Sequence, residues 1–102
     1  MNVSFALALL KHLVSNDKFK FVARQNKMAL PVSNETAKTV VRQMSIDDFV
    51  SYSEDRDRPG EFLWIFITDD GQKYYLKFKF IHQDTMVKFI SFHISYLEEG
   101  TR

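Results

Sequence analysis

The sequence predicts a single α+β domain over residues 1–102, with N-terminal helices packed on one face of a twisted antiparallel β-sheet. One change of pattern along the chain carries that prediction. In the first half, apolar residues recur at helical spacing, at Phe5, Leu9, Leu10 and Leu13 and again at Ala37, Val40, Val41 and Met44. From Glu61 onward the helical spacing gives way to a near-continuous apolar run and then to alternation at period two, in runs divided by Asp69-Asp70-Gly71 and Gln83-Asp84-Thr85. A chain of 102 residues supports one core and leaves no room for a second.

The elements follow in order. Ser4 to Asn16 reads as an amphipathic helix, because its leucines share a stripe and its alanines supply helix propensity. Lys18 to Val22 alternates charged and apolar residues, which predicts a short strand with Phe19 and Phe21 on one side. Pro31 interrupts the chain, and Ser33 or Asn34 is placed to cap a second helix over Glu35 to Met44. Ser45-Ile46-Asp47-Asp48 matches a capping box and predicts a short third helix through Phe49 and Tyr52. Ser53 to Gly60 has no large apolar group beyond its charges and ends in Pro-Gly, so it is expected to be a loop. Glu61 to Thr68 is nearly continuous in apolar, aromatic and β-branched residues, as in a strand covered on both faces. Gln72 to His82 and Met86 to Tyr96 complete a three-stranded antiparallel meander, and Glu98 to Arg102 should fray.

Composition narrows the chemistry. There is no Cys, which excludes disulfide frameworks, thiol catalysis and thiolate metal sites. No His pair at helical spacing and no carboxylate cluster suggests a metal, and no Gly-rich phosphate loop is present, so neither metal nor cofactor is expected. The apolar run Phe5 to Leu10 is followed by Lys11 and His12 and falls far short of the roughly 20 residues that span a bilayer. A cytoplasmic protein with no membrane contact is the expectation. The net charge is only +1, but it is unevenly spread: residues 1–30 carry five basic groups against one acid, and residues 51–70 carry two against six. A basic face on a nearly neutral protein is therefore available.

Alternation in the last two strands locates that face. Tyr75, Lys77 and Lys79 point away from Leu76, Phe78 and Phe80, and Ser91, His93 and Ser95 point away from Ile90, Phe92 and Ile94. A turn centred on Asp84 sets Tyr75 opposite His93 and Lys77 opposite Ser91, on the side away from the helices. Lys, Ser and Tyr also fill ordinary solvated sheet faces. A solubilising face mixes both signs of charge, however, and these two strands place no carboxylate on it. A phenol, an imidazole and ammonium groups together suit phosphodiester cleavage in RNA, which supplies its own nucleophile in the 2′-hydroxyl. An imidazole fits either proton role near neutral pH, lysines fit the phosphate, and a tyrosine donates a proton or stacks on a base.

These motifs together carry a family resemblance. The element order, Met44-Ser45-Ile46-Asp47-Asp48-Phe49, a Trp-containing strand, Gly71-Gln72-Lys73-Tyr74-Tyr75-Leu76-Lys77 and Ile90-Ser91-Phe92-His93 resemble the MqsR (motility quorum-sensing regulator) toxins over about residues 5 to 93. That resemblance implies a RelE-like fold and a type II toxin that cleaves messenger RNA without metal or cofactor in the cytoplasm. It also implies a cognate antitoxin, expected to set acidic groups against Lys77 and Lys79 or to add a strand to a sheet edge. Carried over by position, Tyr75 and Lys77 match the family's Tyr-Leu-Lys segment, and His93 stands where the family typically has a lysine after Ser-Phe. Ser51 replaces an expected lysine and Ile65 an expected glutamine. The resulting candidate catalytic set is Tyr75, His93 and Lys77, with Lys79, Ser91, Arg56 and Arg58 as substrate-binding groups. The competing expectation is a non-catalytic RNA- or protein-binding module of the same fold, which the two replaced positions and the acidic stretch Glu54 to Asp57 favour.

Overall fold

The computed structural model describes residues 1–22 and 32–95. The break expected at Pro31, the strand end expected at Tyr96 and the tail from Glu98 to Arg102 lie outside the described residues. Helix α1 spans Val3–Ser15, strand β1 Phe19–Phe21 and helix α2 Asn34–Gln43. A single 3-10 turn at Ile46–Asp48 then leads into β2 (Phe49–Glu54), β3 (Phe62–Asp69), β4 (Lys73–Ile81) and β5 (Met86–Ile94). The fold is α+β, two helices against an open five-stranded sheet of order β1-β5-β4-β3-β2. Neighbours are antiparallel except β1, which runs parallel to β5.

Local chemistry explains the helix ends. The Asn2 side chain accepts the Phe5 amide at 2.8 Å, which starts α1 just before the expected Ser4. Ser33 rather than Asn34 caps α2, accepting the Thr36 amide at 3.1 Å. Asp17 ends the α1 connection in the left-handed region (φ 63), a conformation that Asp tolerates better than most residues.

The third helix is replaced by β2. Asp48 accepts from the Ser45 amide at 2.8 Å, as half of a capping box does, but the same carboxylate oxygen also accepts from the buried Thr68 hydroxyl at 2.8 Å. That bond fastens the turn to β3, and the Thr68 oxygen in turn accepts from Gln43 Nε2 of α2 at 2.9 Å. Once anchored there, the chain continues as a strand. Phe49 packs edge-on against Phe66 and Trp64, at centroid distances of 5.6 and 6.2 Å, and Ser51 to Glu54 then pair with β3. The meander therefore has four strands, and the loop begins at Asp55.

The core lies between the helices and one sheet face. Ala6, Leu10, Leu13 and Val14 of α1 and Ala37, Val40 and Val41 of α2 meet Trp64, Phe66, Leu76, Phe78, Val87, Phe89 and Phe92. Phe21 stacks on Phe89 at 5.5 Å and extends this aromatic layer to β1. The expectation that β3 is covered on both faces fails: Trp64, Phe66 and Thr68 are buried, but Leu63, Ile65 and Ile67 on the other side are only half-buried, shielded by neighbouring side chains. No helix among the described residues is long and apolar enough to cross a membrane.

Candidate functional site

The face opposite the helices carries Tyr75, Lys77, Lys79, Ser91 and His93, and strand register decides which of them meet. Tyr75 pairs with His93 and Lys77 with Ser91 as expected, although the turn is His82–Thr85, closed by Ile81 opposite Met86, and is not centred on Asp84. The next pair is Phe78 with Phe89, so Ile90 is an extra residue in β5, a bulge. The expected burial of Ile90 is corrected accordingly: Phe89 is buried and Ile90 is only half-buried.

Two adjacent rungs form the centre. In the first, the Tyr75 and His93 rings stack with centroids 5.4 Å apart and planes 27° from parallel. His93 Nδ1 lies 3.0 Å from the Ile94 carbonyl oxygen. A carbonyl oxygen only accepts, so this contact suits the tautomer with hydrogen on Nδ1, which leaves Nε2 with its lone pair. Partial burial raises the Tyr75 phenol above its ordinary pKa, which keeps the hydroxyl protonated and available as a donor. In the second rung, Ser51, Ile65, Lys77 and Ser91 line up across β2, β3, β4 and β5. The two positions where the resemblance expects a lysine and a glutamine thus share the rung of Lys77, Ile65 directly beside it and Ser51 one strand further on. Among the described residues no hydrogen bond or ion pair holds the Lys77 ammonium.

The third rung departs from the sequence-based expectation. Lys79 is on the predicted face, yet it is only 4% exposed. Its ammonium is held by Asp55 at 2.6 Å and Glu61 at 2.7 Å, from the two ends of the β2–β3 loop. Two carboxylates already neutralise it, so it does not offer a free cation to a phosphate. Arg56 and Arg58 are exposed on that same loop. The loop is anchored at Lys79, four residues along β4 from Tyr75, or roughly 13 Å at 3.3 Å per residue. The structure therefore groups Tyr75, His93, Lys77 and Ser91 and sets Lys79, Arg56 and Arg58 apart from them. Among the described residues no three His, Asp or Glu side chains converge as a metal would need.

The Lys79 triad makes stability depend on pH. The Lys79 hydrogen bonds are the largest influence holding Asp55 and Glu61 below the usual carboxylate range. For Lys79 itself burial opposes the charge, but the two hydrogen bonds outweigh it and the pKa is raised. Depressed carboxylate values add stability that is fully present above the unfolded carboxylate range of about 4 and is lost as pH falls below it through the lowered folded values. Urea midpoints for Lys79→Met are therefore expected to fall less than those of the wild type between about pH 5 and 3. Equal acid limbs in the two proteins would show that the triad contributes nothing.

Sequence reasoning missed Lys20 and Lys88. Lys88 pairs with Lys79 on one side and with Lys20 of β1 on the other, so both point to the open face. The signal was present: unbroken alternation through β5 buries Lys88 on the core side, and a bulge is the simplest way to avoid that.

The family model described as motility quorum-sensing regulator, toxin of MqsA, matches residues 3–94. A comparison with curated proteins gave no match.

Proposed function

The chain belongs to the motility quorum-sensing regulator toxin family, and on that premise we propose that it is the toxin of a type II toxin–antitoxin pair and cleaves messenger RNA at its Tyr75–His93 centre. The observation that carries this reading is the stacked pair itself. It sets a proton-accepting Nε2 and a protonated phenol on one rung, with the Lys77 ammonium on the next.

The chemistry follows from those three groups. Nε2 of His93 takes the proton of an RNA 2′-hydroxyl as the 2′ oxygen bonds to the adjacent phosphorus. The bond from phosphorus to O5′ breaks, and the departing oxygen takes the Tyr75 hydroxyl proton. Lys77 offsets the negative charge that grows on the phosphoryl oxygens. The products are a 2′,3′-cyclic phosphate and a 5′-hydroxyl end. Ser91, opposite Lys77, borders the same phosphate position.

The family implies an antitoxin. β2 is a sheet edge, and Val50, Tyr52 and Phe62 beside it are 51%, 41% and 38% exposed, an apolar margin suited to a protein partner. Cytoplasmic action follows from the substrate. The second reading, a binding module without cleavage, is favoured by Ser51 and Ile65, which leave Lys77 the only cation of its rung.

Matched RNA and DNA oligonucleotides separate the two readings. Purified protein is expected to cut the RNA to 2′,3′-cyclic phosphate ends and to leave the DNA intact, because DNA lacks the nucleophile. Intact RNA after prolonged incubation with folded protein would favour the binding module.

A further inference from the structure

Lys20, Lys88 and Lys79 stand side by side on β1, β5 and β4, with neighbouring strands about 4.8 Å apart. Like charges directly across a strand pair are destabilising unless something offsets them. Lys79 is offset by Asp55 and Glu61, which draw its ammonium towards the β2–β3 loop. Among the described residues nothing comparable is given to Lys20 or Lys88: neither has an ion pair or side-chain hydrogen bond, Lys20 is exposed and Lys88 half-buried.

Backbone pairing enforces this arrangement. The Val87 amide donates to the Lys18 carbonyl and the Val22 amide to the Phe89 carbonyl, each at 3.0 Å. Phe19 and Phe21 are packed against the core on the opposite side, with Phe21 stacked on Phe89. The two lysines cannot swing to another face without unpacking those rings. The fold thus holds together two ammonium groups that no carboxylate among the described residues compensates, on the same surface as Tyr75 and His93.

We propose that Lys20 and Lys88 form a phosphate subsite that grips the RNA backbone away from the cleaved bond. The inference rests on the ribonuclease reading and extends it to a substrate class: RNA long enough to run from the Tyr75–His93 rung to the Lys20–Lys88 rung, roughly 13 Å along the strands. The two non-bridging oxygens of a phosphate set between the ammonium groups turn their repulsion into attraction. A dinucleotide engages only the centre, and a longer strand engages both.

The test compares a dinucleotide with an RNA of about a dozen nucleotides, using wild type, the double variant Lys20→Gln, Lys88→Gln and the single variant Lys88→Glu. For the longer RNA, the double variant is expected to raise KM about tenfold with kcat nearly unchanged. Each phosphate neutralised on a single strand contributes about 0.7 to the slope of log affinity against log salt, so loss of this one subsite should lessen the slope by about 0.7. Dinucleotide cleavage should not change. Lys88→Glu should bind the longer RNA still more weakly and yet melt at a higher temperature, because it replaces repulsion of Lys20 with attraction. A merely structural role does not produce those opposite signs.

Unchanged KM and salt slope for the longer RNA in the double variant would overturn the subsite while leaving the Tyr75–His93 centre intact. Equal losses on both substrates would overturn it too, assigning the lysines a role in folding or at the centre. If wild-type protein neither binds nor cleaves either RNA, the ribonuclease reading falls and takes the subsite with it.

Discussion

Replacing His93 with Ala is expected to slow RNA cleavage by about 10²–10⁴-fold, the usual contribution of a positioned general base. The variant should melt within a degree or two of the wild type. His93 is partly exposed and supports no core residue, and its one described hydrogen bond is to the adjacent Ile94 carbonyl. Tyr75→Phe separates the two roles of its partner: the ring still stacks on His93 but the proton is lost. If Tyr75 is the acid, Tyr75→Phe should approach the Tyr75→Ala loss. If Tyr75 only stacks, Tyr75→Phe should keep most of the activity. Initial rates on a fluorescently labelled RNA, paired with thermal melts, read both quantities.

The second large effect is on stability. Phe66 is fully buried, stacks on Phe78 at 5.8 Å and receives the edge of Phe49 at 5.6 Å. It therefore joins β4 through one ring and β2 through another. Phe66→Ala removes a transfer term and leaves a cavity, for a combined cost of about 3–5 kcal/mol. In a domain of this size that corresponds to a fall in Tm of roughly 12–40 °C. Calorimetry checks it, and a fall of only a few degrees would mean that the site collapses around the missing ring. Because Phe66 and the open-face pair belong to opposite sides of one sheet, the two experiments probe separate things. One removes function with the fold intact, and the other removes the fold.

The parts of the site that sequence made legible depend on short-range rules. A four-residue turn, His82 to Thr85, joins the two strands, and the bulge at Ile90 shifts the register by one residue to bring Tyr75 opposite His93, while side-chain alternation on each side of the bulge fixes their face. Lys79 was placed on the right face for the same reason. Its neutralisation was not legible, because Asp55 and Glu61 lie 24 and 18 residues away in the chain and reach it only through the β2–β3 hairpin. The third helix was misread because the Ser45–Asp48 signal describes one turn and carries no information about the next. Thr68, 20 residues on, captures the same carboxylate, and the alternation Val50-Ser51-Tyr52-Ser53 already favoured a strand. The bulge at Ile90 hid Lys88, and only the cost of burying a lysine on the core side pointed to it. Membership of the toxin family was carried by motifs spread over most of the chain, which survive individual departures such as Ser51 and Ile65.

The central claim is that the Tyr75–His93 pair makes this chain an RNA-cleaving toxin. It is tested most directly by inducing the wild type and the Tyr75→Ala, His93→Ala double variant in bacteria, at matched soluble levels, while following growth and mapping RNA 5′ ends. Growth arrest with new 5′-hydroxyl ends clustered at a common sequence, in the wild type alone, is the predicted result. The same arrest and the same ends from the double variant would contradict it, as would normal growth with no new ends from the wild type.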